Sequence, residues 1–79
     1  MKASTIIRGV AKEFYGRRYY LYNDRLKSGD ANCRNIKVEI GWCSPPSVDF
    51  FRECLTRLRA AGMTARMNPL EHRIWVKQG

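Results

Sequence analysis

Apolar residues fall at every second position between 36 and 42, as Ile36, Val38, Ile40 and Trp42. That alternation predicts a strand carrying those four side chains on one face, with Lys37 and Glu39 on the other. Cys43-Ser44-Pro45-Pro46 follows, and two prolines without N–H groups end the ladder. From Ser47 the period changes. Val48, Phe51, Leu55 and Leu58 recur at three- and four-residue spacing, which predicts a helix over 47–61. Ser47 is placed to cap its free N–H groups, and Asp49 lies in the first turn, where the helix dipole favours an anion. Glu53 precedes Arg57 by four residues, the favourable order for a surface pair, and Gly62 suits the left-handed position that ends a helix.

Two further alternating runs, 63–67 and 73–77, flank Asn68-Pro69 and read as a hairpin. Ile74 and Val76 share one face of its second strand; Arg73, Trp75 and Lys77 share the other. Met63, Ala65 and Met67 would then face the helix, leaving Thr64 and Arg66 pointing out with Trp75. In the first third, residues 5–11 and 17–22 read as strands, joined as a hairpin near Gly16. Residues 24–35, with Ser28-Gly29-Asp30, form a loop of turn formers. The predicted order is β-β-β-α-β-β. This is an α+β fold: a small, mostly antiparallel sheet of four or five strands with one amphipathic helix on one face.

A chain of 79 residues makes one domain, 1–79, with a thin core, since so short a chain buries only about 60 % of its unfolded surface. Charge changes the picture more. Fifteen Lys and Arg stand against seven Asp and Glu, a formal net charge of +8. Residues 1–27 hold +5 of it, residues 28–46 balance at zero, and residues 47–79 hold +3. Such an excess favours an acidic macromolecular partner, either DNA or RNA or an acidic protein surface.

One helix covers one face of a sheet, so the other face must meet solvent or a partner. Alternation assigns Lys37, Glu39, Arg66, Arg73, Trp75 and Lys77 to that open face. It adds either Arg18, Tyr20 and Tyr22 or Arg17 and Tyr19, according to the register of the first strands. The stretch 12–22 is densest in this chemistry, with four tyrosines and a phenylalanine around Arg17 and Arg18. Guanidinium groups interleaved with rings touch both the phosphates and the bases of a nucleic acid, or bury against an acidic protein. Rings and arginines also pack on each other across a sheet without any partner. The candidate binding residues are Arg17, Arg18, Tyr20, Tyr22, Arg66, Arg73, Trp75 and Lys77.

Other chemistries find little support. Cys33, Cys43 and Cys54 form no Cys-x-x-Cys pair, and with the single His72 no zinc site of recognised spacing can be written. An odd cysteine count without a scaffold pattern suggests a reducing compartment, hence the cytoplasm. No catalytic, metal or cofactor site is expected. His72 would need an orienting carboxylate, and adjacent Glu71 does not guarantee one; Cys54, at the edge of the helix stripe, reads as a small core residue. No apolar run approaches the roughly 20 residues that span a bilayer, and the helix stripe is needed for the core.

Met1-Lys2-Ala3 leading into strands, the small size, and the helix-on-sheet pattern over 47–77 resemble the accessory inhibitors of phages and mobile elements. These include anti-CRISPR and anti-restriction proteins. The resemblance is of size and architecture and transfers no functional residue. It implies a non-enzymatic protein acting in the host cytoplasm by blocking a nucleic-acid-handling defence complex. A chain at +8 would do so by docking on an acidic subunit or on nucleic acid, not by imitating DNA. Such an inhibitor ranks first, and a direct DNA- or RNA-binding module second. Exposed strand edges would also allow two copies to pair as a homodimer.

Overall fold

The structure is a computed structural model and describes residues 2–25, 33–41 and 44–78. Its elements run α1 (Ala3–Tyr15), β1 (Tyr19–Arg25), β2 (Cys33–Ile40), α2 (Val48–Ala60), β3 (Thr64–Asn68) and β4 (Arg73–Lys77). A single 3-10 turn, Pro69–Glu71, joins the last two strands. The sheet is four-stranded and antiparallel throughout, in the order β1-β2-β4-β3. The α+β class is as expected; the element order is not.

The correction lies at the N-terminus. Residues 5–11, expected as a strand, belong to α1, so the order is α-β-β-α-β-β and two helices share the covered face. Thr5, Ile6, Ile7 and Val10 favour strands by propensity. Yet Ala3, Ile7, Val10 and Ala11 also recur at helical spacing, and all four are buried. Packing against α2 decides between the two periods, overriding a propensity difference of a few tenths of a kcal/mol per residue. Gly16, at φ 64°, ends α1 with its N–H on the Lys12 carbonyl at 3.0 Å. The turn near Gly16 therefore joins a helix to a strand and closes no hairpin.

The second half follows its pattern closely. Helix α2 buries Phe50, Phe51, Cys54, Leu55 and Leu58, while Val48, expected in the stripe, stands exposed at its first turn. Strands β3 and β4 turn toward the helices through Ala65, Met67, Ile74 and Val76, with Met63 buried just ahead. Ile36 and Val38 of β2 complete the centre, flanked by Tyr19 and Leu21 of β1. The loop expected over 24–35 is shorter, since its first two residues belong to β1 and Cys33, Arg34 and Asn35 to β2; the rest of it, with Trp42, lies outside the described residues.

The two helices are joined at one end by a compact set of bonds. Ser47 Oγ accepts from the Phe50 N–H at 3.2 Å, capping α2. The Tyr15 hydroxyl at the end of α1 donates to Ser47 Oγ at 3.1 Å and accepts from the Ser47 N–H at 2.9 Å. Ser47→Ala removes the cap and one arm of this link, and is expected to cost about 1–2 kcal/mol. A urea midpoint unchanged from wild type would show that neither bond contributes.

Candidate nucleic-acid interface

Strand registers place the candidate residues on the side without helices. Tyr22, Lys37, Arg73 and Asn68 lie in one row across the four strands, because Tyr22 pairs with Lys37, Lys37 with Arg73, and Arg73 with Asn68. The next row holds Asn35, Trp75 and Arg66; beyond it Lys77 faces Thr64. Tyr20 pairs with Glu39 at the opposite end. Directly paired residues share a face. Since Leu21, Ile36, Ile74 and Val76 all pack into the core, every one of these residues turns the other way.

Of the eight candidates, six stand in strands on this open face: Tyr20, Tyr22, Arg66, Arg73, Trp75 and Lys77. Arg18 immediately precedes β1, in phase with Tyr20 and Tyr22, and is exposed. The even-numbered register is therefore the one adopted. Arg17 falls out of it. It lines a depression of about 340 Å³ between α1 and the β1 edge, together with Arg8, Lys12, Tyr19 and Tyr20. Neither Arg8 nor Lys12 is among the sequence candidates, because a strand over 5–11 that ends before Lys12 does not bring the two together; their helical spacing of four is the signal that does.

The face is basic and partly aromatic. Tyr20 and Tyr22 are about half exposed, at 56 % and 48 %. Trp75 is partly exposed and lines a shallow depression of about 230 Å³ with Arg66, Arg73, Asn35, Asn68 and Glu71. Glu39, the acid of the central strand, is buried to 7 % and bonded to Lys37 Nζ at 3.3 Å, which offsets its charge.

His72 sits where the chain turns into β4, with φ 59° in the left-handed region. Its carbonyl accepts from the Val38 N–H at 2.8 Å, extending the ladder beyond β4. The carboxylate near its ring is Glu39 rather than Glu71. Glu39 Oε2 lies 4.0 Å from His72 Nδ1, beyond hydrogen-bonding reach, and Nδ1 is buried without a hydrogen-bond partner among the described residues. Those residues stand 33 positions apart, so local sequence could not pair them.

The cysteines among the described residues are buried. Burial pushes the Cys54 thiol up to about 12, which keeps it protonated in the core. Cys33 is also buried, and Arg34 beside it donates Nη1 to the Cys33 carbonyl at 2.9 Å; Cys43 lies outside the described residues. On the helix side Arg57 bonds both Glu53, at 2.9 Å, and Glu13 of α1. The Arg57 hydrogen bond holds the Glu13 carboxyl below its usual range. Among the described residues no three of His, Cys, Asp and Glu gather as metal ligands, and no helix is long and apolar enough to cross a membrane.

Comparison of the chain with known protein families, with curated proteins and with solved structures finds no match.

Proposed function

We propose that this chain is a non-enzymatic binding module that holds single-stranded nucleic acid on the open face of its sheet. The observation that carries the proposal is the placement of Tyr20, Tyr22 and Trp75 among Arg18, Arg66, Arg73 and Lys77 on the helix-free side. Rings of this kind stack on bases while the cations meet phosphates, whatever the base sequence. Breadth argues for a single strand. Four strands at about 4.8 Å spacing set the outer two about 14 Å apart before side chains are added. A duplex major groove is about 12 Å wide and admits a two-stranded ribbon. Unstacked bases, by contrast, reach rings spread across a four-stranded sheet.

Three to five phosphate contacts would give a salt slope of about −2 to −3.5 on logarithmic axes, so affinity should fall roughly 20- to 100-fold between 50 and 200 mM salt. Fluorescence anisotropy with labelled single-stranded DNA and RNA oligonucleotides measures this directly. Absence of binding to both at about 100 mM salt would overturn the proposal.

One observation favours a second reading, that of an inhibitor docking on an acidic subunit of a bacterial defence complex. Trp75 with Arg66 and Arg73 around a shallow depression supplies residue types typical of protein-binding hot spots. A stable protein complex recovered from bacterial lysate, surviving nuclease treatment, would favour that partner over nucleic acid.

A further inference from the structure

Resting on the nucleic-acid reading, we propose that Arg8, Lys12 and Arg17 form a second phosphate site. A strand lying on the open face turns round the β1 edge and continues onto α1 through this site. Arg8 and Lys12 stand one turn apart on α1, and Arg17 joins them from the turn opened by Gly16; all three are exposed and line one depression. None forms an ion pair among the described residues. Like charges four residues apart weaken a helix, and a third cation adds to the repulsion. An acid close by could have relieved it. Glu13, however, is held by Arg57 of α2. The cluster is thus left positive, and an anion bound between its members removes the repulsion.

Continuity points to the same anion as on the sheet. Tyr20 belongs to the open face through its pairing with Glu39, and it also lines the Arg8–Arg17 depression. The adjacent arginines divide accordingly: Arg18 is in phase with the face and Arg17 lies with α1. A strand stacked on Tyr20 has cations on both sides of the β1 edge. Among the described residues strand β1 pairs only with β2, so none of the described strands blocks that path.

The test is the triple variant Arg8→Gln, Lys12→Gln, Arg17→Gln, in which glutamine keeps helix propensity and removes charge. Its salt slope is measured against single-stranded oligonucleotides of about 6 and about 20 nucleotides, lengths bracketing a single binding face. With the longer strand, loss of three phosphate contacts should make the slope shallower by about 2 and weaken binding roughly tenfold to a hundredfold at 100 mM salt. The shorter strand, confined to the sheet face, should bind as to wild type. Arg17→Gln alone, outside the helix, should lower the slope by about 0.7 with unchanged far-UV circular dichroism. An unchanged slope with the long strand, while Trp75→Ala weakens binding to both, would overturn the second site and leave the sheet face standing. Equal losses on both lengths would also overturn it. If wild type binds neither length, the sheet reading and the second site fall together.

Discussion

Phe50→Ala is expected to remove about a third or more of the folding stability. Phe50 is fully buried, and its ring meets three others: Phe14 edge-on at 5.8 Å, Tyr15 at 5.6 Å and Phe51 at 5.4 Å. It is where α1 and α2 meet through aromatic contacts. Truncating a buried phenylalanine costs about 3–5 kcal/mol, from lost burial and the cavity left behind. A domain of this size holds about 4–10 kcal/mol in total. Urea denaturation should show a midpoint lowered by about a third or more, or no cooperative transition at all. A shift under about 1 kcal/mol would mean the two helices do not depend on this ring.

The second large effect is on binding. Trp75→Ala should weaken single-strand affinity by about 1–3 kcal/mol, or roughly 5- to 150-fold, which is the worth of one base stacked on an aromatic ring. Adding Arg73→Ala, one row away, should abolish measurable binding. Both side chains lie on the helix-free side, with Ile74 between them turned into the core. The fold should therefore survive, with the urea midpoint shifted by about 1 kcal/mol or less. Unfolding of the double variant would show that the pair supports the sheet rather than a ligand. Folded variants that bind as wild type would remove Trp75 and Arg73 from the interface.

The legible parts of this chain share one property: a single period accounts for each. Ile36, Val38 and Ile40 alternate and nothing else fits them; Phe51, Leu55 and Leu58 fit only a helix; Ile74 and Val76 alternate beside a proline turn. Residues 5–11 satisfy both periods, because β-branched Thr5, Ile6, Ile7 and Val10 sit where a helical stripe also runs. What resolves them is the area to be covered. Four strands present a surface about 19 Å wide, whereas a helix with its side chains is about 10–12 Å across. One helix leaves part of the inner face wet, and α1 covers the remainder. That need is visible only once all four strands are counted in place.

From the sequence alone came the basic charge, the strand alternation of 36–40 and 73–77, the capped helix over 47–61, and an open face holding Arg66, Arg73, Trp75 and Lys77. Each rests on spacing within a few residues, which backbone geometry converts directly into a shared side. Tertiary structure alone decided that Tyr20 and Tyr22, not Tyr19, join that face, and that Arg17 parts from Arg18 to stand with Arg8 and Lys12. It also decided that Glu39 is the carboxylate near His72. These depend on register and on which elements pack together, and a one-residue shift of β1 would have reversed every side chain on it.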